Sequence, residues 1–281
     1  GYLCSSKDTA EDRVAILDRL FEMVDAVNPV DVEEYLKSNT GDGAKKPEIL
    51  KKVLSLKKMN PALLNRCMES YCRSCPDASE VRQQVLDVML DAGMNTGSAM
   101  MNELICAEQM DAAEKVELLR RLEANGCTLR TDALSTYLEK YGAKCEEAML
   151  DYLFHRCSFV SEKALTTYVL NCAHDSGAKA QNAAALAAKL AVPFGSSTCT
   201  VQHLGNRISC SLAQAYLLTA ADSYETASAL LQMMAAQTRL NADIQCNGRI
   251  VRLKKYVKEN KASLTPLTEQ LCDDNRLFSM F

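Results

Sequence analysis

A helix-start signal returns along this chain every 30 to 36 residues, and that period restricts the fold more than any other feature. It reads Asn28-Pro29, Asn60-Pro61, Thr96-Gly97, Thr131-Asp132, Ser161-Glu162 and Ser197-Thr198. Asn, Ser and Thr side chains accept hydrogen bonds from the free amides of a first helical turn. Pro directly after them has its φ pre-set for the helix and no amide to leave unsatisfied. A period of this length fits a two-helix unit, and a unit so small buries its apolar faces only against a neighbour.

The second helix of each unit repeats the signal independently. Apolar pairs begin at Ile16-Leu17, Ile49-Leu50, Val85-Leu86, Leu118-Leu119 and Met149-Leu150. Within first helices, apolar residues follow the cap by four and by eight: Val32 and Leu36, Leu64 and Met68, Met100 and Leu104, Leu165 and Val169. Those positions share one helical face. The unit at Thr131 is one residue out of step, with Leu134 and Leu138. The spacing predicts an N-terminal capping helix within 1–27, about seven divergent repeats over 28–262, and a C-terminal capping helix within 263–281 that starts at Thr265-Pro266. The seventh repeat is irregular, with helices over Ser223–Gln237 and Arg249–Glu259. Residues 39–44 and 192–199 read as loops.

Composition supports a helical reading. The chain has 281 residues, 48% of them hydrophobic, 6% aromatic and no Trp. Its net charge of −4 is not that of a chain built to neutralise phosphates, so nucleic acid is a disfavoured partner. No apolar run approaches the roughly 20 residues that span a bilayer. The opening Gly1-Tyr2-Leu3-Cys4 is too short for a signal peptide, and Gly1 in place of Met points to a trimmed start. Of thirteen cysteines, Cys67, Cys106, Cys157, Cys172 and Cys272 sit in apolar helical patterns, where a free thiol behaves as a small hydrophobe. This usage suggests a reducing intracellular compartment. A secreted chain with some disulfides is the alternative, and pairings do not follow from sequence.

Residues 115–127 (KVELLRRLEANGC) and Val85 to Gly93 (VLDVMLDAG) resemble the second helix and closing Gly turn of ankyrin repeats. Thr200-Val201-Gln202-His203-Leu204 resembles that family's Thr-Pro-Leu-His-Leu helix opening. The likeness covers roughly 80–220. It departs at Thr131-Asp132-Ala133-Leu134 and Ser161-Glu162-Lys163-Ala164-Leu165, which lack the Pro and the His, and at Cys157, which stands where the turn Gly belongs. The loops 126–131 and 157–161 are too short for the family's full β-hairpin finger. The resemblance implies an all-α, elongated solenoid of ankyrin-like two-helix repeats that grips a protein partner with its concave face and loop tips. Cysteine-rich arrays of this kind occur among pathogen effectors, which implies one further setting, a secreted effector acting inside a host cell. Ala164 to Leu170 resembles the first helix of pentatricopeptide repeats, which read RNA base by base. Such a groove needs basic residues and a regular polar position. The residues after successive caps (Asp31, Leu63, Ala99, Leu134, Ala164) are too varied for that, so RNA reading is the alternative.

No constellation points to catalysis. Cys67, Cys72 and Cys75 form C-x4-C-x2-C, but tetrahedral zinc needs four ligands and no second pair follows. The histidines, His155, His174 and His203, fall in different units. Adjacent acids such as Glu33-Glu34, Glu146-Glu147 and Asp273-Asp274 diverge around a helix and do not form an acid/base dyad. Arg249, Arg252, Lys254, Lys255 and Lys258 make a basic helix whose Ile250, Val251, Leu253 and Val257 suggest docking to the array. Gly195, Gly205 and Gly248 are isolated and form no phosphate loop. The chain is therefore expected to be non-enzymatic, without cofactor or metal. Candidate partner-contact residues, at tips or off the apolar stripe, are Met94, Arg130, Tyr137, Phe159 and Tyr168.

Overall fold

A computed structural model describes residues 2–5, 8–24, 27–38, 42–56, 60–74, 76–94, 97–172, 177–190 and 193–281. Thr96, Cys75, His174, the 39–41 part of the first loop and Val192 of the second lie outside them. The described residues form seventeen α-helices and four strands in two compact units, Gly1–Arg130 and Thr131–Phe281.

The first unit holds α1 (Tyr2–Ser5), α2 (Ala10–Met23), α3 (Pro29–Lys37), α4 (Lys46–Leu56), α5 (Pro61–Ser74), α6 (Ser79–Asp91), α7 (Ser98–Ile105) and α8 (Ala112–Ala124). Helices two apart in sequence pack together: α1 on α3, α3 on α5 and α5 on α7 in one row, α2 on α4 and α4 on α6 in the other. That is how stacked helix pairs bury their stripes. Val32 and Leu36 of α3, Leu64 and Met68 of α5, and Met100 and Leu104 of α7 are all buried. The caps work locally. Asn28 Oδ1 accepts from the Val30 amide at 3.0 Å and Asn60 Oδ1 from the Ala62 amide at 2.8 Å. Gly93 and Gly126 adopt positive φ after α6 and α8. There the amides of Met94 and Cys127 return to the carbonyls of Met89 and Leu122, the closing bond of a Schellman turn.

Buried ion pairs join each helix pair to the next. Arg13 of α2 meets Asp42 at 2.8 Å with both side chains almost fully buried. Lys46 of α4 meets Asp77 at 2.7 Å and also donates to the carbonyls of Leu36 and Ser38. Arg82 of α6 grips Glu114 of α8, with Nε to Oε1 at 2.6 Å. Tyrosine hydroxyls complete the set, Tyr35 donating to Asp42 at 2.8 Å and Tyr71 to Asp77 at 2.9 Å. Burial pulls the Lys46 ammonium below the usual lysine value, against the opposing pull of Asp77.

The second unit begins the same way and ends differently. It holds α9 (Ala133–Tyr141), α10 (Glu147–Arg156), α11 (Glu162–Asn171), α12 (Gly177–Ala187), β1 (Thr198–His203), β2 (Asn206–Ser211), α13 (Leu212–Thr219), α14 (Tyr224–Gln237), β3 (Asp243–Cys246), β4 (Arg249–Arg252), α15 (Leu253–Glu259), α16 (Pro266–Asp273) and α17 (Asn275–Phe278). Again α9 packs on α11, α11 on α13, α12 on α14, and α14 on α16. Lys179 of α12 pairs with Asp222 before α14 at 2.7 Å, both buried. The four strands form one antiparallel sheet in the order β1-β2-β3-β4.

The sheet corrects the all-α expectation at three places. Ser197-Thr198 does not start a helix but leads into β1. Thr200-Val201-Gln202-His203-Leu204 is strand and hairpin tip, not a helix opening. The helix cap of that unit is Ser211, which accepts from the Gln214 amide at 3.4 Å while Gln214 Oε1 accepts from the Ser211 amide at 2.9 Å. Arg249 to Arg252 is strand β4, so the basic helix shrinks to Leu253–Glu259. The reason lies in the turns. Leu204-Gly205 and Asn247-Gly248 both take consecutive positive φ values, the two-residue turn whose twist matches paired strands.

Candidate functional site

The two hairpins do not pair along their full length. At the tip end the Asn247 amide donates to the Arg207 carbonyl at 2.9 Å, and Ile208 faces Cys246 and Ser209 faces Gln245 in register. No register pair follows at Cys210 and Ser211. There the strands part, and they are tied again only at the base, where Gln214 Nε2 donates to the carbonyls of Asn241 at 2.6 Å and Asp243 at 3.0 Å. Between the two ties opens a cleft of about 560 Å³.

Its walls follow from strand alternation, which sends every second side chain to one face. Thr198 of β1, Ser209 and Ser211 of β2, Gln245 of β3 and Ile250 of β4 supply that face, and Arg239 and Asn241 come from the loop between α14 and β3. The rim at Gly195 is close-fitting, because a Cβ there would lie 2.7 Å from Met234 Cβ, at φ +93. Asp243 pairs with Arg252 at 3.4 Å. Arg239 is exposed and has no ion pair among the described residues. Arg207, two positions from Ser209 along β2, adds a second exposed cation to the same face. The cleft lining itself holds one cation and one anion, Arg239 and Asp243, and it is Arg207 and Arg252 that make the surrounding face positive on a chain of net charge −4. Beside it Ile250 is 78% exposed, far more than an isoleucine in a packed sheet. Hydroxyls, amides, spare guanidinium charge and one apolar side chain suit recognition of an extended polar segment.

The expected contact residues are scattered. Met94 is 6% exposed, and Tyr137 and Tyr168 are each 2% exposed. Burial corrects the expectation for these three. The Tyr137 hydroxyl accepts from the Glu146 amide at 2.8 Å, and Tyr168 packs in α11, so the rings fasten neighbouring helices rather than meet a partner. Phe159 is 46% exposed and Arg130 is also exposed, but neither borders the cleft. His203 is buried, its Nδ1 3.0 Å from the Tyr256 hydroxyl. Burial pulls its pKa below the usual imidazole value. Among the described residues no group of three or more His, Cys, Asp or Glu side chains is placed to hold a metal ion, and no helix is long and apolar enough to cross a membrane.

The hairpins that flank the cleft carry a sequence signal, although the place where they part does not. Asn247-Gly248 between Asp243–Cys246 and Arg249–Arg252 is the strongest short hairpin signature, and Leu204-Gly205 divides two runs of alternating burial. Compared with family models, with curated proteins and with solved structures, the chain matches none.

Proposed function

We propose that this chain is a non-enzymatic protein-interaction module of ankyrin-like helical units, and that it holds an extended acidic segment of its partner in the cleft between the two hairpins. The observation that carries the reading is the positive, hydroxyl-lined face at Arg239, Arg207 and Ser209, with Ile250 standing exposed beside it. Stacked helix pairs whose later members are preceded by hairpins support the ankyrin-like comparison. A rigid stack with a preformed cleft suits binding because little ordering is required when the partner docks. An acidic side chain facing Arg239 gains a charge-assisted hydrogen bond, and an apolar neighbour covers Ile250.

A random peptide library displayed on phage and selected against the full chain tests this. The expected outcome is a set of peptides with an acidic residue near an apolar one. Arg239→Glu should weaken them about tenfold or more, the ~1.4 kcal/mol of one charge-assisted contact, without moving the melting temperature. Peptides insensitive to Arg239→Glu would overturn the assignment of the cleft. Tight binding of single-stranded oligouridine that is lost in the same variant would replace the protein partner by RNA.

A further inference from the structure

Cys199 and Cys210 stand directly opposite each other in the β1–β2 ladder. Opposed residues of an antiparallel pair have Cα atoms about 4.5–5.5 Å apart, within the roughly 4.4–6.8 Å that a disulfide spans. Because side chains alternate across a sheet, directly opposed residues project to the same face. The Cys210 thiol donates a hydrogen bond to the Cys199 sulfur, which lowers Cys199 from the usual thiol value and raises Cys210. Cys199 is half-buried and lies on β1, an edge strand of the sheet. Other buried thiols contrast with it: burial pushes Cys67 up to about 11 and Cys145 and Cys272 up to about 12. Those side chains are shielded and protonated, the state in which thiols do not react.

We propose that Cys199 and Cys210 are a reversible dithiol site that small-molecule disulfides oxidise, closing the open end of the first hairpin next to the cleft. The reactant is a low-molecular-weight disulfide of the oxidised-glutathione class. The Cys199 thiolate attacks one sulfur of that disulfide. A protein–glutathione sulfur–sulfur bond forms, and one glutathione thiolate leaves and takes up the proton that Cys199 lost. Cys210 then loses its proton and attacks the Cys199 sulfur. The Cys199–Cys210 bond forms and the second glutathione leaves as its thiol. Two protein thiols are oxidised by two electrons, and one glutathione disulfide is reduced to two thiols. Cys210 itself borders the cleft. Its bond would fix the strand ends one residue from Thr198 and Ser211, which line the cleft.

The sequence supplies a direct readout. Arg207 lies between the two cysteines, so trypsin places them in separate peptides, 190–207 and 208–239, each with a single cysteine. The full folded chain is equilibrated in glutathione buffers of graded reduced-to-oxidised ratio, acid-quenched, alkylated and digested. The expected result is a linked 190–207/208–239 species that rises at least fivefold from reducing to oxidising buffer and disappears with dithiothreitol. The Cys210→Ser variant should instead accumulate the Cys199–glutathione mixed disulfide, since the resolving sulfur is missing. Recovery of both peptides as separate alkylated or glutathionylated species at every ratio would overturn the proposal. Linkage of Cys199 to Cys246 instead would overturn it too, and so would equal linkage efficiency in urea-unfolded chain, because the fold would then contribute nothing.

Discussion

The Gly1–Arg130 unit and the second half of the Thr131–Phe281 unit solve one problem in two ways. Both must join helix pairs that cannot bury their own stripes. In the first, a buried cation near the start of each second helix reaches the acid of the next pair: Arg13 to Asp42, Lys46 to Asp77, Arg82 to Glu114. In the second, Lys179 to Asp222 continues the pattern once. After it, Thr226 and Thr268 are the buried polar residues of α14 and α16. From that point backbone pairing between hairpins and the Gln214 amide hold the units together. The difference has a structural consequence. Buried ion pairs fill the space between units, whereas hairpins leave exposed strand faces and, where two of them part, a cleft.

The comparison is broken most severely by removing one half of a buried pair. Glu114→Ala leaves the Arg82 guanidinium buried without its carboxylate, which should cost about 3–5 kcal/mol of unfolding free energy in urea titrations. Replacing both with Met should restore most of that loss, because an apolar pair of similar volume needs no compensation. If the double variant is as unstable as the single one, the pair is not the joint described here. Next in size is Gly195→Ala. Its Cβ would collide with Met234 and its φ of +93 disfavours any side chain, so a loss of about 1–3 kcal/mol is expected. The loss should come with weaker peptide binding at the neighbouring cleft, and unchanged stability would show that the rim is loose. A smaller effect is expected from Thr226→Val, about 1 kcal/mol, since only the Thr226 hydroxyl's bond with Ser223 is removed. A loss as large as that of Glu114→Ala would erase the contrast between the two regions.

The smallest effect concerns acid. Hydrogen bonds from Lys37, Arg66 and Ser70 hold the Glu33 carboxyl down from 4.5 to about 2. A carboxylate depressed in the folded state stabilises the fold above its unfolded pKa, and that contribution disappears as the pH falls from about 4.5 toward 2. Glu33→Gln should therefore lower the melting temperature by about 2 °C at pH 7 and by almost nothing near pH 2. A variant whose deficit is the same at both pH values would show that the charge does not contribute.

Much of the helical part was legible because two signals shared one period. Caps at Asn28, Asn60 and Ser161, and apolar pairs such as Ile49-Leu50 and Val85-Leu86, fall where the helices lie. The buried cations carry the same period: Arg13, Lys46, Arg82 and Lys115 each stand three residues before the apolar pair of their helix. A charged residue ordinarily reads as solvated surface, and only tertiary packing shows these to be interior. Tyr137 and Tyr168 failed as contact candidates for a related reason. An amphipathic tyrosine off the aliphatic stripe can face water or a neighbouring helix, and sequence does not decide which. The cleft was the least legible, because it depends on where β2 and β3 stop pairing. At its base Gln214 reaches residues 241 and 243 across the chain, a contact that no local pattern announces.

The most direct test of the cleft as the partner-binding surface is a charge exchange across it. A selected acidic peptide is measured against the native chain and Arg239→Glu by titration calorimetry, and the same peptide with its acidic residue replaced by Lys is measured against both. Binding should be lost in either single change and should recover, to within about threefold, when both are combined. Equal affinity of the native chain and Arg239→Glu for the acidic peptide would contradict it.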